Sequence, residues 1–151
     1  MAAFHYKMQN ILSLKEKLES QQKMEYGRAN AALNSEQEKL DTLLARRRQY
    51  VEDLKDAESG ALDIREITFL RSSISSMGEL INEQLKNVAK ARRRVEIERE
   101  KLDQAMKERK IHEKLREKAF DRFKAEMLYK ENKETDELVA YTYNSGSDSL
   151  E

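Results

Sequence analysis

No cysteine, proline or tryptophan occurs in this 151-residue chain, and glycine occurs only at positions 27, 60, 78 and 146. Without cysteine there is no disulfide framework and no thiolate zinc site, which fits a reducing compartment. Without proline, and with so few glycines, the chain lacks the punctuation that a sandwich, a barrel or a doubly wound sheet needs at its many turns. Neither sign of charge is in excess: 29 lysines and arginines balance 29 aspartates and glutamates. That balance removes the global positive field of a general nucleic-acid binder, and no nucleic-acid partner is expected. Long hydrophobic runs are missing too. Residues 1–10 hold no signal-peptide core, and nowhere is there an apolar stretch that would span a bilayer, so the expectation is a soluble cytoplasmic protein with no direct membrane insertion.

What the chain has is charge and aliphatic residues, 38% charged and 38% hydrophobic, interleaved throughout. Segregated charge blocks would indicate disorder; periodic aliphatics among the charges indicate helices with one apolar face. Ile67, Ile74, Ile81, Val88, Val95 and Leu102 recur at every seventh position, the mark of a coiled-coil seam. Leu70, Met77, Gln84, Ala91, Glu98 and Ala105 stand three residues after them, a companion row that begins apolar and becomes mixed. The earlier half supplies Leu33, Leu40 and Leu54 in one row, completed by Arg47, with Tyr26, Leu44 and Val51 helping to fill the alternate positions.

Between the halves lie a stop and a start. Gly60 is placed to take the left-handed conformation that ends a helix. Asp63 and Glu66 form an aspartate version of the capping box, and Leu62 with Ile67 stand at the positions of a hydrophobic staple. The fold class that follows is all-α: a long antiparallel two-helix coiled-coil hairpin in a single domain over residues 1–143. Helix one is expected at about 4–58, a turn at 59–62 and helix two at about 63–141, with a flexible tail at 144–151. Facing residues whose positions sum to 121 align both stripes, with Gln37 opposite Gln84 and Lys23 opposite Glu98 as polar layers. Phe4, Ile11 and Leu18 stand out of phase with Tyr26, which predicts a change of winding around 19–25 and brings Leu14 and Leu18 to Leu102 and Met106. The first helix is expected to run out opposite about residue 116. Helix two is longer than helix one, and its segment from Lys118 to Tyr141 is then left without a partner, with a stripe of Phe120, Phe123, Met127 and Leu138.

Little here suggests catalysis, which needs convergent polar groups in a concave pocket. No glycine-rich phosphate loop or nucleophile elbow is present. His5 and His112 have no ligand set around them, so neither an enzyme nor a metal or cofactor site is expected. Arg92, Arg93 and Arg94, like Arg46, Arg47 and Arg48, read either as a solvated helix face or as a protein-docking cluster, with Glu96, Glu98 and Glu100 blunting the former group. The aromatics say more. Phe4, Tyr6, Phe120, Phe123, Tyr129, Tyr141 and Tyr143 would gather at one end of the hairpin, as a binding surface or as a cap on the coiled coil, while Tyr50 and Phe69 sit near the turn.

The helix opening Phe4-His5-Tyr6-Lys7-Met8-Gln9-Asn10-Ile11-Leu12, the restart Asp63-Ile64-Arg65-Glu66-Ile67, and Met106-Lys107-Glu108-Arg109-Lys110 with the later Glu137-Leu138 together resemble the FliJ family of bacterial flagellar export proteins over nearly the whole chain. The resemblance implies a coiled coil similar to the central stalk of rotary ATPases. It implies a non-enzymatic part of the flagellar type III export apparatus that enters the hexameric export ATPase FliI, stimulates it, contacts the export-gate protein FlhA and handles export chaperones. It also implies a place at the cytoplasmic face of the inner membrane. On that analogy Phe4, Tyr6, Phe120, Phe123, Met127 and Tyr141 would meet the ring, and Tyr50 and Phe69 the gate. Two other classes remain open on the residues alone: a hairpin holdase chaperone, and a scaffold or adaptor that joins two proteins or self-associates through the overhang of helix two.

Overall fold

The computed structural model describes residues 2–148. It contains two long helices packed against each other, α1 (Gln9–Ser59) and α2 (Ile64–Asp148), the second longer than the first, and no strand among the described residues. Alanine, leucine, glutamate, lysine, arginine and glutamine dominate both, and these residues lose little freedom on entering a helix. The ends differ from expectation. Helix α1 starts at Gln9 and not near residue 4, with the Gln9 amide donating to the Tyr6 carbonyl at 3.2 Å. Helix α2 runs on through residues 144–148, where a tail was expected. Ser145 and Ser147 donate to the carbonyls of Thr142 and Asn144 at 3.1 and 2.8 Å, and a single Gly146 costs a helix only about 1 kcal/mol. The rest of the expected tail, 149–151, lies outside the described residues.

The chain divides into two compact units, one of Glu19–Ala105 and one of Met1–Leu18 with Met106–Glu151. The first contains the turn. Asp63 caps α2 there: its carboxylate accepts from the Arg65 amide at 3.0 Å and its carbonyl from the Ile67 amide at 3.1 Å. Removing this acceptor by Asp63→Ala is expected to lower stability by about 1 kcal/mol, read as a reduced midpoint in denaturant. Two other turn expectations fail. Gly60 does not have positive φ, and a Cβ there would make only an ordinary contact, 3.6 Å from the Asp56 carbonyl, so left-handed geometry is not what ends α1. Leu62 is 70% exposed and staples nothing.

All twelve positions of the two α2 rows, from Ile67 and Leu70 to Leu102 and Ala105, are buried or half-buried. Leu70, Met77, Ile81 and Val88 form the apolar core of this unit with Ala29 of α1. On α1 the rows differ from expectation. Tyr26, Leu33, Leu40 and Leu54 are half-buried as expected, but their companions are Gln22, Ala29, Glu36, Leu43, Tyr50 and Ala57. Leu44 is 37% exposed, and Val51 is only half-buried, at the flank. The companion row lies three residues on, not four, because that is the a-to-d step of a heptad. Arg47, which completes the row, is exposed.

The polar layers fall one residue away from those expected. Gln84 donates both to the Glu36 carbonyl, at 2.8 Å, and to the Glu36 carboxylate. Gln22 donates to the Glu98 carbonyl, at 3.1 Å, and to the Glu98 carboxylate. Each glutamine clamps a glutamate of the other helix, once from each side. Gln37 and Lys23 are passed over because their neighbours occupy the seam row.

In the other unit Leu12 is the buried apolar residue of α1, while Ile11, Leu14 and Leu18 are exposed. The seven-residue interval from Leu12 to Glu19 to Tyr26 carries through, so the phase change expected around 19–25 does not occur. Ile11 and Leu18 suggested it because the seam positions that follow Leu12, namely Lys15, Glu19 and Gln22, are polar. Gln9 accepts from Arg116 at 3.0 Å, and Lys15 pairs with Glu108 at 2.8 Å. Pairing extends further along α2 than expected, to Phe123, because Phe4 ahead of α1 continues it, and Met127 beyond is still half-buried. Every residue from 128 to 147 is exposed.

Candidate functional site

The non-helical lead into α1 places the Phe4 ring against α2. Phe4 and Phe120 meet edge to face with centroids 5.0 Å apart, and Phe4 and Phe123 meet at 5.4 Å. Phe120 and Phe123 reach one ring because residues three apart share a helix face. Such aromatic pairs each contribute about 0.5–1.5 kcal/mol beyond area burial. Two cations border the cluster: the Arg116 guanidinium lies 5.7 Å from the centre of Phe4, and the Lys124 ammonium 4.9 Å from that of Phe120. Arg116 also holds Gln9, so one side chain ties the first turn of α1 to the cluster.

Of the residues singled out from the sequence, Phe4, Phe120 and Phe123 are brought together. Tyr6 and Met127 are half-buried in the same unit, whereas Tyr141 is 74% exposed on the uncovered stretch of α2. Near the turn, Tyr50 is drawn into the seam row of α1 and Phe69 stands in solvent. Arg92, Arg93 and Arg94 are exposed, and Arg94 is engaged by Glu98 at 3.0 Å. Arg116 and Lys124 were missed. Their spacing relative to Phe120 on α2 was the available signal, but it acquires meaning only once Phe4 is placed. Among the described residues there is no group of three or more His, Asp or Glu that could hold a metal ion.

Glu98, 2% exposed, is the most enclosed charged group described. The Gln22 hydrogen bond holds its carboxyl below the ordinary value of 4.5, against the opposing effect of desolvation and with help from Lys101 and Arg94. A depressed folded-state pKa means that this carboxylate stabilises the fold above pH 4.5 and that its contribution is lost as pH falls below that value. Thermal melts of the native chain are therefore expected to drop more steeply below this pH than melts of Glu98→Gln, compared by circular dichroism.

A seam of two helices, an aromatic and cationic cluster and an uncovered helical stretch define an all-α coiled-coil class of protein. Residues 4–147 match the family model described as flagellar FliJ protein, and the chain belongs to this family, whose members are components of the type III export apparatus. The fold is similar to that of a YscO homolog from Chlamydia trachomatis, at 20% identity and a TM-score of 0.68, covering 97% of this chain and 99% of that one. No curated protein gives a match. No helix among the described residues is long and apolar enough to cross a membrane.

Proposed function

We propose that the chain is a non-enzymatic stalk-like component that enters the hexameric export ATPase FliI, stimulates its turnover and couples it to the export gate FlhA. The observation that carries this reading is the cluster of Phe4, Phe120 and Phe123 leading into a stretch of α2 whose residues 128–147 are all exposed, in a chain of the FliJ family. Two helices of unlike sequence present unlike faces to a ring of like subunits, so they cannot contact all of them equally, and that asymmetry biases the nucleotide steps. The ring contact consists of Phe4, Tyr6, Phe120, Phe123, Met127 and Tyr141. Phe69, exposed near the turn, and Tyr50 supply the gate contact, which places the protein at the cytoplasmic face of the export apparatus. Unloaded export chaperones are further partners.

The test is the ATP hydrolysis rate of the purified ring with and without the full chain, expected to rise on addition. Phe69→Ala should weaken binding to the gate protein, measured by calorimetry, and leave stimulation of the ring unchanged. Loss of ring stimulation in this variant would reverse the assignment of the two surfaces.

A further inference from the structure

The apolar residues that the seam leaves at the flank of α1 form a surface of their own. Leu44 and Val51, with Arg47, Arg48, Glu52 and Lys55, line an open groove of about 490 Å³ in the unit of Glu19–Ala105. Arg47, Arg48 and Lys55 are exposed and have no ion-pair partner among the described residues. An apolar floor edged by three free cations and one carboxylate suits an amphipathic helix with an acidic face.

The chain carries such a face. On the uncovered stretch of α2, Glu134, Glu137, Leu138 and Tyr141 follow the i, i+3, i+4, i+7 spacing of one helix side and line a shallow groove. Glu134 and Glu137 are exposed and have no ion-pair partner among the described residues. We propose that the groove edged by Arg47, Arg48 and Lys55 takes the Glu134, Glu137, Leu138 and Tyr141 stripe of a second copy of this chain. Leucine and tyrosine cover Leu44 and Val51 while the two carboxylates meet the arginines. With a formal net charge of +0, the copies do not repel each other at long range. The contact is heterologous, since groove and stripe are different surfaces, and a single helix face makes it weak and salt-sensitive. It goes beyond the proposed ring contact but shares Tyr141 with it, so self-association belongs to the protein free of the ring.

Sedimentation velocity on the full chain, from low to high micromolar protein, tests this. The weight-average sedimentation coefficient is expected to rise with concentration at low salt and to fall when salt is added. Arg47→Glu with Arg48→Glu, or Glu134→Lys with Glu137→Lys, should each weaken association about tenfold or more, with helicity by circular dichroism unchanged. Mixing the two variants should restore association, because the native groove of one then meets the native stripe of the other and the reversed groove meets the reversed stripe. A single non-associating species across the range would overturn the proposal, as would association that survives either reversal or a mixture that stays monomeric.

Discussion

Removing Lys118 and everything after it is expected to return ATP hydrolysis by the export ATPase ring to the rate of the ring alone. The truncation takes away Phe120 and Phe123, both partners of Phe4, together with Met127, Tyr141 and the whole exposed stretch of α2. It leaves the unit of Glu19–Ala105 intact, with its cap at Asp63, its core of Leu70, Met77, Ile81 and Val88, and both glutamine clamps. The shortened chain should therefore remain strongly helical by circular dichroism while ceasing to stimulate. Stimulation that stays at the full-length level would move the ring contact to the residues before Lys118. A milder variant separates surface from stability: Tyr141→Ala changes a residue that is 74% exposed, so a lowered stimulation with an unchanged melting point would report a lost contact and not a lost fold.

The α2 half of the seam is legible in the sequence because each seventh residue from Ile67 to Leu102 is aliphatic, and burial follows that row throughout. The α1 half is much less so. Its rows contain Lys15, Glu19, Gln22, Glu36 and Arg47, while apolar Ile11, Leu18 and Leu44 stand beside them and draw a pattern search off by one position. A polar side chain can hold a seam position when it finds partners across the interface, as Gln22 does at Glu98, and a hydropathy pattern does not encode such a pairing. The turn shows the same division. Asp63 is recognisable as a cap because its role is local, within two residues of its partner amide. Gly60 suggests left-handed geometry from its identity alone, and its actual conformation is ordinary. The aromatic cluster follows from knowing which chain ends meet, but the contribution of Arg116 depends on the path of the residues ahead of α1.

The clamps themselves carry the second large expected effect. Gln84 is 7% exposed and spends its amide on the Glu36 carbonyl and carboxylate, so Gln84→Leu alone should cost about 1–3 kcal/mol by leaving that acceptor pair without its donor. Gln84→Leu with Glu36→Leu should reverse the sign and stabilise by about 1 kcal/mol, the low end for such replacements, because two apolar side chains then replace a polar layer in which Glu36 is only half-buried. The gain should come with lost specificity. In the native chain the Gln84 and Gln22 clamps fix the register at two levels, and a helix that slips must break both. With one level made uniformly apolar, spin labels placed on exposed sites of α1 and α2 within the unit of Glu19–Ala105 should report a broadened distance distribution, where the native chain gives one narrow peak. A distribution that stays narrow in the stabilised variant would assign the register to the apolar layers of Leu70, Met77, Ile81 and Val88 and to the remaining clamp.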